Sequence, residues 1–422
     1  MRKTIAILIL LTLGVVSPAL AQKKPVKKGI VWDNRPSIVF GKDVKIDVRM
    51  KSQLDWRTFD PDVKEPLYDF RSLRFGLKGT LTKHFEWEIE RKVSKDWENG
   101  DWKDVYFMWK TFDAFTLQGG RFKVPFGLEQ NTGSTDLDFA YRSLASSTIA
   151  PSRDNGGMAS GRFHGRDFTY AVGVFHKDGD NAELKEAQFI PDGEDIPQPG
   201  PSIAARITGT PLRKLPVPRR MKSLRLGVAY TNAELPEGLN SFRGKSVIGT
   251  KTYFEPVYVK GRRQRIGGEL EWTPLNYSLK AEWMQVREDR QQQSNRNQDL
   301  SDFLATGWYV SGSWVVTGEG NGAAPKKDLF QGGVGSIEIA ARYDELGFGS
   351  AAHVGTAFTN PRSDNLVPNT DRVWTIGVNW QPNRWIKISP NAIHENFLDP
   401  KRTIESGVNS FWCGLVRLQV VF

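Results

Sequence analysis

Apolar and polar residues alternate along most of this chain with a period of two. Leu73, Phe75, Leu77, Gly79 and Leu81 are interleaved with Ser72, Arg74, Gly76, Lys78 and Thr80, and Phe85, Trp87 and Ile89 with Glu86, Glu88 and Glu90. The pattern returns at 224–230, 265–272, 277–283, 308–316, 337–343, 374–380 and 412–422. Successive side chains of an extended strand point to opposite faces, so each stretch reads as a strand with one apolar and one charged face. Helical periodicity is nearly absent; DNAELKEAQ (180–188) is the best candidate and is too short to matter.

Such strands build two kinds of molecule. A soluble sandwich hides its apolar faces inside, whereas a membrane barrel turns them to lipid and keeps the charged faces around its lumen. Many strands here run for about ten residues, the length a tilted strand needs to cross a bilayer. Trp87, Trp272, Trp283, Trp380 and Trp385 read as strand-end residues, where aromatic girdles meet the membrane interfaces. Connections also alternate in length: 82–84, 165–167, 273–276 and 381–384 are short, while 51–70, 122–157, 177–200 and 345–371 are long. That alternation predicts an all-β, transmembrane antiparallel β-barrel of about sixteen strands with short periplasmic turns. Two connections on the periplasmic side, 209–223 and 318–335, are longer than the pattern asks.

The two ends of the chain agree with export to such a membrane. Met1, Arg2 and Lys3 precede an apolar run from Ile5 to Val16, and Ser17-Pro18-Ala19-Leu20-Ala21 has the small-x-small form of a cleavage site. Residues 1–21 read as a secretory signal peptide, because the run is too short to span a bilayer. Residues 22–35 read as an N-terminal periplasmic arm, with 22–28 disordered and basic, and 36–422 as the barrel. The last alternating strand ends on Phe422, the usual recognition end for barrel insertion.

Composition narrows the function. The formal net charge of +10, about +8 without Arg2 and Lys3, suits anionic solutes or a membrane surface better than nucleic acid. Cys413 is the single cysteine, which excludes an internal disulfide framework. No two of His84, His164, His176, His353 and His394 have metal-ligand spacing on one strand face. Gly332-Gly333-Val334-Gly335 lacks the strand–loop–helix context of a phosphate cradle. Glu86, Glu88 and Glu90 fit a solvated lumen wall better than acid/base work. Neither an enzyme, a cofactor nor a metal is expected.

One segment breaks the alternation. GGRFKVPFGLE (119–129) begins as a strand, is interrupted at Val124-Pro125 and Phe126-Gly127, and leads into a long polar stretch without clear periodicity. A loop of that length inside a compact domain is usually functional. Folded into the lumen, 122–157 would form a constriction, with Pro125 and Gly127 making the bend. Arg121 and Lys123 stand at its base, and Arg142 and Arg153 further along. Rings of Arg and Lys lower the barrier for anions and raise it for cations. Against these four cations stand Glu129, Asp136 and Asp138, which leave the balance barely positive. The polar strand faces add Arg49, Arg74, Lys78, Arg225, Arg265 and Arg342 as lumen-wall candidates, each more often a wall salt-bridge partner than a binding group.

Several segments, in order, resemble the phosphate-selective porin O/P family of outer-membrane channels. LRFGLKGTLTKHFEWEIE is similar to the family's second and third strands. GGRFKVPFGLEQ resembles the strand leading into its third, constriction-forming loop, and YRSLASSTIAPSRDNG the rest of that loop. GWYVSGSWVVTGE, IEIAARYDEL, GVNWQPN and LVRLQVVF continue the series to the end of the chain. The resemblance implies a homotrimeric barrel in the lipid of the bacterial outer membrane, passing phosphate, polyphosphate or other small anions. It points to Lys123 as a phosphate-contacting lysine, with Arg121 its neighbour. A weakly selective porin, or a surface-binding or adhesion barrel without a solute-specific pore, are the other expectations.

Overall fold

The computed structural model describes residues 28–422 apart from 61–67, 94–101, 186–195, 250, 321, 323, 353–359 and 400–408. The signal peptide and residues 22–27 of the arm lie outside the described residues. The alternating stretches form strands: β1 (Gly29–Asp33), β2 (Arg35–Val39), β3 (Lys45–Asp60), β4 (Tyr68–Thr82), β5 (Phe85–Lys92), β6 (Trp102–Phe112) and β7 (Phe115–Lys123). There follow β8 (Arg153–Phe163), β9 (Phe168–Phe175), β10 (Ser202–Gly209), β11 (Arg225–Leu239), β12 (Gly244–Lys245), β13 (Thr252–Phe254), β14 (Tyr258–Trp272) and β15 (Tyr277–Arg290). β16 (Leu300–Val315), β17 (Ser336–Ser350), β18 (Asn369–Gln381), β19 (Ile386–Phe397) and β20 (Ser410–Val421) complete the series.

β20 pairs with β3 from Trp412↔Asp60 to Val421↔Lys51, which closes sixteen strands into an antiparallel barrel. Closure leaves no barrel edge unpaired, the condition a lipid-embedded backbone must meet. Lys45–Asp47 extends past the end of β20, and β2 takes that free edge by pairing Val39, Ile38 and Ser37 with it. From Gly29 onward, the expected arm is therefore the β1–β2 hairpin, turning at Asn34 with φ 67°. The long connections are also shorter than expected, because the strands continue beyond the alternating stretches: 51–60 and 68–70 belong to β3 and β4.

The outer face is apolar and carries aromatic belts. Trp308, Tyr343 and Trp374 follow one another across β16–β18 with ring centroids 5.3 and 4.8 Å apart, and His394 and Trp412 continue the belt at 4.6 Å. Trp283 joins this belt from the middle of β15 rather than from its end. Nearer the short turns lie Trp272, the stacked pair Tyr277–Trp314, Trp380 and Trp385. Trp412 on β20 and Phe422 just past its end, still hydrogen-bonded to Met50, share the outward register ten positions apart, about 33 Å along the strand. At the usual tilt that spans the apolar band of an outer membrane.

The inner face is polar along β3–β6, as the alternation suggests, but not along the upper halves of β15–β20. There Val286, Phe303, Phe348, Val373, Ile393, Phe397, Phe411 and Cys413 are buried inward. The β11–β14 connection, with its β12–β13 hairpin, covers them with Phe242, Tyr253, Phe254 and Val257. Phe254 stacks on Phe348 at 4.8 Å and Tyr253 on Phe397 at 5.4 Å. An inward apolar face is stable only because another segment removes it from water.

Candidate functional site

The interruption after β7 runs from 124 to 152. Lys123 is still in β7 and Arg153 already in β8, so the irregular segment is shorter than 122–157. At its bend Gly127 has φ 73°, and a Cβ there would lie 2.9 Å from both Glu282 Oε1 and Met284 Cε. Glycine is demanded twice, by the backbone angle and by the wall. The segment carries two short helices that the sequence reading does not contain, α1 (Leu128–Asn131) and α2 (Leu144–Thr148). Neither is long enough for a 3.6-residue period to register. Ser143 caps α2 by accepting a hydrogen bond from Ser146 N at 3.2 Å.

Inner-face groups of β3, β15, β17, β19 and β20 hold this segment. Glu282 accepts hydrogen bonds from Leu128 N and, at 2.9 Å, Glu129 N, and Asp344 accepts one from Leu144 N at 3.1 Å. Asn391 Oδ1 accepts from Ala140 N at 3.0 Å, while Arg417 donates to Ala140 O. Tyr141 donates its hydroxyl to Asp55 at 3.1 Å. Phe126, Ala145 and Ile149 are fully buried beside Met284. Two of the segment's three acids are neutralised on this side: Glu129 pairs with Arg342 at 3.0 Å and Asp138 with Lys280 at 2.7 Å.

On the opposite side, between the segment and β3–β8, lies a cavity of about 400 Å³. Seven cations line it (Arg49, Lys51, Arg74, Lys78, Lys123, Arg142 and Arg153) against two acids, Glu88 and Asp104. Five of the cations have carboxylate partners. Arg49 pairs with Glu88, Lys51 and Arg74 with Glu90 at 2.6 and 3.2 Å, and Lys78 with Glu86 at 2.7 Å. Arg153 donates twice to Asp104, at 3.1 and 2.7 Å. Lys123 and Arg142 have no carboxylate partner among the described residues. Lys123 donates to Asn131 O and Thr132 O at 3.2 and 2.8 Å, and Arg142 to Glu129 O and Thr132 O at 3.1 and 2.8 Å. Two uncompensated cations thus converge on one carbonyl. Burial, and then the nearby Arg153, Arg74 and Arg71, lower the pKa of Arg142 against the pull of Glu129, as expected where positive charge is in excess.

Of the ten residues singled out in the sequence, six meet at this cavity: Lys123, Arg142, Arg153, Arg49, Arg74 and Lys78. Arg121 does not. It follows a kink at Gly120 (φ 122°) and donates to Trp102 O and to Asp180 at 2.9 and 2.7 Å. Arg265 is buried against Asp178 at 2.6 Å, Arg342 against Glu129 and Asp344, and Arg225 pairs with Glu271 at 3.4 Å. Lys51 was missed because it was read as the first residue of a loop; its shared parity with Arg49 is the signal that finds it. The cavity adjoins a second one of about 490 Å³, through Arg49 and Lys51, that reaches Arg35, Arg384 and Phe422.

The family model described as "Phosphate-selective porin O and P" matches residues 44–191 and 241–422. No curated protein sequence matches the chain. Among solved structures, in-vitro folded OmpT, an outer membrane protein of Vibrio cholerae, superposes with a TM-score of 0.57 at 10% identity, covering 91% of this chain and 99% of that one. The outer membrane channel DcaP of Acinetobacter baumannii gives 0.55 at 9% identity, with 94% and 100% covered. An anion-selective porin from Comamonas acidovorans gives 0.53 at 13%, with 90% and 100% covered. At such identities the superpositions speak for the barrel alone. With the family match over most of its length, this closed barrel belongs to the phosphate-selective porin O and P family and is a channel of the bacterial outer membrane.

Proposed function

We propose that the barrel passes small anions by diffusion, phosphate among them, along the β3–β8 wall, with segment 124–152 as the constriction. The observation that carries this reading is the pair Lys123 and Arg142, two cations at the cavity without a carboxylate partner among the described residues. The segment closes off one half of the lumen and spends Glu129 and Asp138 there, and although Asp136 stays at the adjoining cavity, seven cations against two acids leave the passage an excess of positive charge. Cations in such a passage favour anions over cations. Two donors converging on one point suit an anion with several oxygens, since charge-assisted hydrogen bonds to phosphate are strong. A homotrimer is part of the same proposal, supported by the family and by the trimer form among the solved barrels of this shape.

Planar-bilayer recording tests the reading. A salt gradient should give a reversal potential on the anion side, and added phosphate should reduce the chloride current. Cation selectivity with no phosphate effect would reject the anion path and leave the barrel untouched. Cross-linking in native membranes should yield trimers; a monomer there would reject the assembly.

A further inference from the structure

We infer that each barrel binds an anionic phospholipid on its outer face, at the rim that carries the short turns. The β10–β11 connection there, residues 210–224, is longer than a tight turn and strongly basic. It is fastened to the outer wall at its 3₁₀ turn (Arg219–Ser223), where Trp272 Nε1 donates to Arg220 O at 2.8 Å. Within it Arg213 and Lys214 are satisfied by Asp167, at 3.6 and 2.9 Å. The charged groups of Arg219, Arg220 and Lys222 have no acidic partner among the described residues, and both arginines are exposed.

Next to these cations an apolar groove of about 740 Å³ opens on the wall, with Arg220 at its mouth. Register explains the groove. Leu279, Gly312, Ala341 and Ile376 form one outward row across β15–β18, so two small residues floor a trough between larger ones. Trp314 and Ile339 line it toward the short turns. An outward trough at this level faces the bilayer, so its natural filling is hydrocarbon. Unpaired cations at its mouth call for an anionic group at the same level. One molecule supplies both, a phospholipid with an acyl chain in the trough and its negative headgroup at Arg219, Arg220 and Lys222. Cations at a membrane surface attract anionic lipid by about fivefold in affinity each, so about a hundredfold for three.

Native mass spectrometry of the detergent-solubilised protein, titrated with phosphatidylglycerol or phosphatidylcholine of equal chain length, tests this. The wild type should hold phosphatidylglycerol far more tightly than phosphatidylcholine. Arg219→Gln/Arg220→Gln/Lys222→Gln, on an exposed turn, should remove that preference and lower phosphatidylglycerol affinity about a hundredfold. Gly312→Leu, which fills the trough, should weaken both lipids. Heat-modified gel mobility and single-channel conductance should match the wild type in both variants. Unchanged phosphatidylglycerol affinity in the triple variant would overturn the inference. So would a Gly312→Leu protein that keeps its lipid but loses its oligomer, because the trough would then hold a second copy of the chain.

Discussion

At Arg342 the barrel wall and segment 124–152 share one buried charge balance. Its guanidinium is fully buried and sits between Glu129 and Asp344, at 3.0 Å from each. Arg342→Met would leave two carboxylates facing each other without a cation, a loss of about 3–5 kcal/mol where buried pairs are broken. A lower unfolding midpoint with erratic, flickering current is the expected result, because the segment loses its anchor while the barrel ladder persists. A quiet channel of unchanged stability would show that the pair does not seat the segment. Lys123 is the opposite case, since among the described residues its ammonium is held by the backbone carbonyls of Asn131 and Thr132 alone. Lys123→Gln should keep the unfolding midpoint while the anion-to-cation permeability ratio and phosphate block both fall. Arg121→Gln, which touches Asp180 outside the cavity, should change neither. If Arg121→Gln matched Lys123→Gln, the cavity would not be the anion path.

At the level of elements, segment 124–152, the proposed constriction, is held against β15, β17, β19 and β20 and leaves a cavity on the β3–β8 side. Replacing 128–150 by a short glycine-serine linker should raise single-channel conductance several-fold and bring the permeability ratio toward unity; conductance within about a fifth of wild type would exclude the segment as the narrowest point. This arrangement was only partly legible in the sequence. The strands were, because alternation is a local signal and every stretch such as 73–81 states its own two faces. The break at Val124–Gly127 was legible for the same reason. Which strands the segment would rest on was not, since its partners Glu282, Asp344, Asn391 and Arg417 are more than a hundred residues away in the chain. The same distance hid which cations are spent. Arg265 and Arg342 share the inward parity of their strands, and only Asp178 and Glu129, brought in by the fold, show that they are spent. Lys123 has the parity of the outward Leu117 and reaches the cavity where β7 ends. The inward apolar faces of β16–β20 were misleading for a further reason: both faces are apolar there, so alternation cannot say that a second connection covers one of them.

Across the whole molecule, the proposed anion selectivity would have a long-range part and a contact part. Five of the seven cavity cations share four carboxylates, so on the proposed path they would act on a passing ion only as a weak, diffuse positive field, whereas Lys123 and Arg142 would act by contact. Salt separates the two, because the screening length falls from about 10 Å at 0.1 M to about 3 Å at 1 M. At low salt, the entire β3–β8 wall should contribute to the reversal potential. At high salt, only groups within touching distance of the ion should. The wild type is therefore expected to lose part of its anion preference between these concentrations and to keep the rest. A Lys123→Gln/Arg142→Gln double variant should retain a weak preference at 0.1 M and none at 1 M. Reversal potentials at both concentrations, for both proteins, decide the matter. A double variant as selective as the wild type at 1 M would place the contact sites elsewhere in the lumen.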